Sequence, residues 1–280
     1  MTLQHHSSSP PAVEPGLLSR ALEVAGRLAN EAAEVITATA GRAAHTGGQP
    51  PGSEAKSNPY DWVTDTDRTL ERHTRRVLAA EFPGVPVVGE EYGTDAHAAS
   101  APMHWVVDPV DGTANYVAGL PWYAYSLALV DGHGPVVGVI ADPGRQRIYA
   151  AARGRGVRAN GIPVQRMGEH AAGSAGGLVC VELPAARVGA FTAAAAAGHV
   201  GVRALGSSAL AITQVALGHA VAAVLEGFQE WDVAGALCLA AEAGAVVVDG
   251  DGRPDPLPSG RLVVAIPEAL PSVLEWWRAG

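Results

Sequence analysis

The 280-residue chain carries 48% hydrophobic and 17% charged residues, with a formal net charge of −9. That is the balance of a globular protein with a lightly charged surface, and it argues against a nucleic-acid-binding face. Cys180 and Cys238 both lie in apolar runs; they form neither a metal knuckle nor a disulfide framework and read as buried free thiols of a reducing compartment.

In chain order, residues 1–16 read as a frayed, disordered leader. They lack the basic, apolar and cleavage-site series of an export signal, which points to the cytoplasm. Apolar groups at helical spacing predict a helix over 17–40, ended by Gly41, and the Gly-, Ser- and Pro-rich stretch 42–59 predicts a loop. A second helix is expected over about 65–80, capped by Thr64 or Asp65 and stopped by Phe82-Pro83-Gly84. VPVVGEE then predicts a short strand that delivers Glu90 and Glu91 at its end, followed by an exposed stretch over 93–102.

WVVDPVDGT (105–113) predicts the next strand. YAYSLALV, GPVVGVIADP and QRIYAAARG follow as three more, separated by DGHG and DPGR turns. RGRGVR (153–158) reads as a loop beside the sheet. Trp122, Tyr123 and Tyr125 are expected to pack at the sheet or at a subunit interface, and Trp276 and Trp277 on a similar surface.

Further along, GGLVCVEL predicts a strand, ARVGAFTAAAAAG a helix, and VGVRALG a strand running into a helix at Ser207-Ser208. The apolar run AITQVALGHAVAAVLEG (211–227) reads as a buried helix; Gln214, His219 and Glu226 argue against a membrane span. WDVAGALCLAAEAG predicts a helix, GAVVVDGDG and LVVAIP the last strands, and LPSVLEWWRAG a terminal helix. The pattern is α+β, in αβαβα layers, and its antiparallel middle argues against a plain doubly wound sheet. The expected organisation is one compact unit: an α+β part over 17–160 bearing the acidic motifs, and an α/β part over 161–280 closing the site.

Within HWVVDPVDGTANYVAG (104–119), Asp108 and Asp111 crowd together around Pro109-Val110. Either the turn is simply capped, or a cation sits between the carboxylates. Like charges this close repel unless neutralised, and an all-oxygen set without His or Cys suits Mg²⁺ rather than zinc. Gly112 and Thr113 add backbone N–H groups and a hydroxyl that could cradle an anion.

KSNPYDWVTDTD (56–67), GEE (89–91), WVVDPVDGTANYV (105–117) and WDVAGALCLAAEAG (231–244) resemble, in order, the signature segments of the inositol monophosphatase family. The resemblance implies the layered αβαβα sandwich of the inositol monophosphatase and fructose-1,6-bisphosphatase type. It also implies a homodimer and Mg²⁺-dependent, often lithium-sensitive, hydrolysis of a phosphorylated small molecule, with two or three Mg²⁺ per subunit.

Carried over residue by residue, it makes Glu90, Asp108 and the Val110 carbonyl ligands of one metal, and Asp108, Asp111 and Asp232 ligands of a second. Glu90, with water and help from Asp67, completes a third position. Asp67 and Thr113 resemble the pair that orients water near the attack line, and Gly112 and Thr113 the phosphate cradle. Glu91 resembles a supporting residue, and Lys56 and Asp61 a loop that closes the site.

Gly206, Ser207 and Ser208 match the segment lining the substrate pocket, which Asp111 also borders. The inositol phosphatases contact inositol hydroxyls through a Glu six residues before the Trp-Asp pair, where this chain has Leu225, with Glu226 one position later. A missing hydrogen-bond partner can shift preference by orders of magnitude, so the expected substrate is not plain inositol phosphate. An apolar wall of Val221, Val224, Leu225 and Phe228 would suit a base, an aromatic group or an amine-bearing carbon chain. Inositol 1-phosphate, histidinol phosphate, nucleotides and natural-product intermediates are the alternatives, beside a homologue that binds metal or phosphate without turnover. Neither a nucleic-acid polymer nor a membrane is expected as a partner.

Overall fold

The computed structural model describes residues 13–40, 52–55, 62–164 and 176–279. Its first part runs α1 (Pro15–Thr39), β1 (Ser53–Ala55), β2 (Trp62–Thr64), α2 (Asp65–Glu81), β3 (Val87–Gly89), β4 (Gly93–Thr94), β5 (Met103–Asp111) and α3 (Thr113–Ala118). Four antiparallel strands and a short edge piece follow: β6 (Ala124–Asp131), β7 (Gly134–Asp142), β8 (Arg147–Ala152), β9 (Val157–Ala159) and β10 (Ile162–Pro163). The second part comprises β11 (Leu178–Glu182), α4 (Ala185–Ala197), β12 (Gly201–Arg203), α5 (Ser208–Ala216), β13 (Ala222–Glu226), α6 (Glu230–Ala243), β14 (Val246–Asp249), β15 (Arg261–Ala265) and α7 (Leu270–Ala279).

The large sheet has the order β10-β9-β8-β7-β6-β5-β3-β4, antiparallel except where β3 runs parallel to β5. The smaller sheet has the order β12-β11-β13-β15-β14, with β11 parallel to both β12 and β13. Helices α1 and α2 pack on the large sheet, α5 and α6 lie between the sheets, and α4 and α7 pack on the smaller one. This is the layered αβαβα arrangement expected.

Each helix follows from its sequence. The Glu14 carboxylate caps α1 by accepting from the N–H groups of Gly16 and Leu17, and Pro15 sits where no N–H is needed. Leu18, Ala21, Val24, Ala25, Leu28, Ala32 and Ile36 form its buried stripe. A capping box between Thr64 and Asp67 starts α2, and a 2.9 Å hydrogen bond between Thr74 Oγ1 and the Tyr125 hydroxyl ties that helix to β6.

The run 211–227 is not one helix. α5 stops at Ala216, Gly218 takes a positive φ of 73°, and Ala222–Glu226 becomes a central strand. Its apolar, Ala- and Val-rich composition is compatible with either state when both faces are buried, and the glycine marks the break. A strand β9 also forms inside the Arg-rich segment expected as a loop; the stretch 93–102 is mostly exposed, as expected, and includes the short β4.

Tyr125 is buried in the core under the large sheet, one of the two places expected for it, and Trp276 and Trp277 are buried in the core of the smaller sheet. Cys180 and Cys238 are buried free thiols, as expected. Among the described residues no helix is long and apolar enough to cross a membrane.

Candidate active site

β5 carries the first two carboxylates. Its register against β6 shifts between Asp108 and Asp111. Pro109 has no N–H for the ladder, so the strand bulges at this point. Both carboxylates are buried, and Asp108 Oδ1 accepts from the Val110 N–H at 3.0 Å. Asp232, in the first turn of α6, accepts from the Gln229 N–H at 2.6 Å.

One ligand oxygen from each of Asp108, Asp111 and Asp232 lies within 4.8 Å of the others, and no other such group of His, Cys, Asp or Glu occurs among the described residues. The N-termini of α5 and α6 both face this cluster, which favours negative charge there. Burial, then the charge of Glu90, then those of Asp111 and Asp232 push the Asp108 carboxyl well above the usual range. Burial and the Asp232 charge push Asp111 the same way, against hydrogen bonds from Ser207 and Ala209 that favour its ionised form. A bound cation would neutralise this crowding of charge, and the all-oxygen donors fit Mg²⁺.

Asp67 approaches from α2. It is fully buried and accepts from both the N–H and the hydroxyl of Thr64. Burial raises its pKa to about 7, assisted by the charges of Glu91 and Glu90 and opposed by the Thr64 hydrogen bond. Glu90 and Glu91 are half-buried in the turn after β3. Thr113 opens α3, its hydroxyl oxygen 2.9 Å from the Val110 carbonyl and 3.4 Å from Asp67 Oδ1.

Gly112 joins β5 to α3 at a positive φ of 85°, where a Cβ would come within 2.9 Å of the Gly206 carbonyl and 3.0 Å of the Trp122 carbonyl. Only glycine fits that turn. The fold thus brings Asp67, Asp108, Asp111, Thr113 and Asp232 together, with Glu90 and Glu91 close enough to raise their neighbours' proton affinity.

On the other side, the Ser207 hydroxyl donates to Asp111 Oδ2, and the Ser208 N–H lies 3.2 Å from its Oδ1. Gly206 is exposed beside them. The expected apolar wall is not an open one. Val224 and Leu225 are fully buried in the core of the smaller sheet, because β13 is a central strand with both faces covered and each of the two opposite-facing neighbours meets a packed layer. Glu226 points the other way and accepts a 2.5 Å hydrogen bond from Arg187. Lys56 and Asp61 lie outside the described residues.

Two residues that the sequence reading missed also shape this side. Glu182, at the end of β11, accepts from the N–H groups of Leu205 (3.2 Å) and Gly206 (2.8 Å). Asn115 donates to the Leu205 carbonyl at 2.7 Å and the Trp122 carbonyl at 2.9 Å. Their partners are main-chain groups far away in sequence, so no local motif marks them; the Asn two residues after Gly-Thr was the one available hint.

The model of the inositol monophosphatase family matches residues 17–275. An inositol-1-monophosphatase of Mycobacterium bovis is 36% identical over 208 residues, covering 69% of this chain and 70% of the relative. A Nus factor SuhB of Pasteurella multocida is 30% identical over 220 residues, covering 76% and 81%. Among solved structures, an IMPase/NADP phosphatase complexed with Mg²⁺ and phosphate superposes with a TM-score of 0.78 at 22% identity, covering 94% of this chain and 97% of its own. With its fold, its acidic motifs and these matches in agreement, the chain belongs to the inositol monophosphatase family.

Proposed function

We propose that the chain hydrolyses a phosphate monoester of a small metabolite to an alcohol and inorganic phosphate, with a substrate other than plain inositol phosphate. The convergence of Asp108, Asp111 and Asp232 carries the reading, since two buried acids from the end of β5 and a half-buried one from the start of α6 crowd together. Family membership supports it.

In this reading Asp108, Asp111 and Asp232 hold Mg²⁺, with Glu90 and the Val110 carbonyl completing a second position. Mg²⁺ bound there supplies charge compensation to the phosphoryl and leaving oxygens and makes water easier to deprotonate. The chain's own groups do the rest. Thr113 and Asp67 orient the attacking water, and the N–H groups of Gly112 and Thr113 receive phosphoryl oxygens. Gly206 and Ser208 border the leaving alcohol. No nucleophilic side chain is required, because water made easier to deprotonate by Mg²⁺ supplies the attacking oxygen.

The substrate reading rests on the β13 end. Leu225 is fully buried and Glu226 is engaged by Arg187, so the carboxylate that would accept inositol hydroxyls is not offered in the same way. The test is phosphate release with and without Mg²⁺ from inositol 1-phosphate, histidinol phosphate, fructose 1,6-bisphosphate, adenosine 3′,5′-bisphosphate and nucleoside 5′-monophosphates, with Asp111→Asn as the contamination control. Mg²⁺-dependent release confined to one member names the substrate class. Fast turnover of inositol 1-phosphate overturns the substrate reading, and absence of release from every member, with Mg²⁺ still bound, overturns the hydrolase reading.

A further inference from the structure

One buried acid beside the site has no part in the chemistry above. Glu71 lies on α2 four residues after Asp67, on the same face of the helix, and is fully buried. Its Oε2 accepts from the Glu91 N–H at 2.6 Å, and its Oε1 from the Tyr92 N–H at 3.1 Å and Arg75 Nε at 2.8 Å. Arg75 continues outward to Asp95 Oδ1 at 2.8 Å and to the Gly93 carbonyl. A single carboxylate thus fastens the turn after β3 through two successive main-chain N–H groups.

Gly89 makes room for it. A Cβ at that position would lie 2.3 Å from Glu71 Oε1 and 2.6 Å from its Cδ. No side chain can stand at residue 89 while the carboxylate keeps its place. Residue 89 directly precedes Glu90, so the carboxylate grips the turn on both sides of that residue.

We propose that Glu71 is the positioning residue for the Glu90–Glu91 turn, holding Glu90 where it can serve the metal centre. The inference rests on the metal reading given above. Hydrogen bonds from backbone N–H groups to a carboxylate are charge-assisted, and they fix direction as well as distance. The Arg75 partner offsets the cost of keeping that charge away from water. Gln in place of Glu71 would present an amide NH₂ to donors that need an acceptor. Because Asp67 and Glu71 share one helix face, α2 sets both the Asp67–Thr113 side and the Glu90 side of the site as one rigid element.

The experiment uses the full chain and three variants, E71Q, G89A and L78A. Leu78 is buried on the same helix, makes none of these contacts, and serves as a stability control. Mg²⁺ is titrated with two readouts, the rise in Tm and the phosphate released from the best substrate. E71Q and G89A are expected to raise the half-saturating Mg²⁺ concentration about tenfold or more in both readouts, the usual range for partners that orient a metal ligand. L78A is expected to lower the metal-free Tm and leave half-saturation where it is in the wild type.

Wild-type half-saturation in E71Q and G89A overturns the proposal, as does an equal shift in L78A. If E71Q does not fold, G89A decides, because it displaces the carboxylate without removing its charge. A wild-type Tm indifferent to Mg²⁺ removes the metal reading itself, and this proposal with it.

Discussion

Oδ2 of Asp111, at the end of β5, lies 2.9 Å from the backbone N–H of Ala209 in the first turn of α5. A strand of the large sheet and a helix between the sheets are joined there through a carboxylate that is also a proposed metal ligand. The helix N-terminus offsets part of its charge, and a cation is needed for the rest. Asp111→Asn keeps the shape and removes the charge. Phosphate release is expected to fall by about two orders of magnitude or more.

Wild-type protein at a Mg²⁺ concentration 100 times Kd gains about 2.7 kcal/mol, or about 5 °C in Tm for a chain of this size. D111N is expected to lose that gain. Without metal, relief from the Asp232 charge is set against an amide NH₂ facing the Ser207, Ser208 and Ala209 donors, so the readout is the Mg²⁺-induced rise in Tm and not the metal-free Tm. Differential scanning calorimetry measures that rise, and a D111N protein that still responds fully to Mg²⁺ sinks the assignment.

Thr113 stands between the Val110 carbonyl and Asp67, at 2.9 and 3.4 Å. Thr113→Ala is expected to lower kcat about 10²-fold, the low end of the range for a group that directs proton transfer, while the Mg²⁺-induced rise in Tm survives. Thr113→Ser should recover most of the rate, because the hydroxyl returns. Steady-state kinetics beside thermal melts separate the two effects; unchanged kcat in T113A would dismiss the role.

The Arg187 guanidinium lies 3.8 Å above the Trp277 ring and donates to Glu226 and to the Trp277 carbonyl. It joins α4, β13 and α7 on the outer side of the smaller sheet. Replacing it with Met removes a charge-assisted hydrogen bond and a cation–π contact and is expected to cost about 2 kcal/mol. The urea midpoint measures the loss, and the emission of Trp277 should change with it. A midpoint equal to the wild type would mean that the cluster contributes nothing net.

The acidic motifs were legible because their chemistry is local. Asp-Pro-Val-Asp-Gly-Thr crowds two charges into one bulge, and Gly112 must be glycine where the Gly206 and Trp122 carbonyls close in. The layer order was legible from the alternating elements, and Thr64 was one of the two residues expected to cap α2. Residues 211–227 were misread because a helix and a central strand with both faces buried share one composition, so only Gly218 carried the break. Leu225 was expected at the pocket on chain position alone, whereas β13 is a central strand covered on both faces, which leaves Leu225 in the core. Glu182, Asn115 and Glu71 escaped notice because each serves main-chain groups at least seven positions away, and such partners leave no trace in residue type.

Acid stability offers a last test, away from the site. Asp131, at the β6–β7 hairpin, pairs through both oxygens with Arg153 at 2.8 and 2.9 Å and accepts from the His133 N–H at 2.8 Å. Burial acts to raise its pKa, but Arg153 and the His133 N–H overcome it and hold the carboxyl below its ordinary 3.8. A depressed folded pKa contributes stability that is present above the unfolded value and lost as pH falls through the folded one. Asp108 and Asp111 have the opposite sign: their raised pKa values favour the metal-free fold on acidification and lose that contribution as pH rises. The difference between wild type and Asp131→Asn in one buffer series therefore isolates the hairpin pair. The advantage of wild type is expected to be constant above about pH 5 and to shrink from there toward pH 3. Parallel unfolding curves across that window would show that the Asp131–Arg153 pair lends no charge-dependent stability.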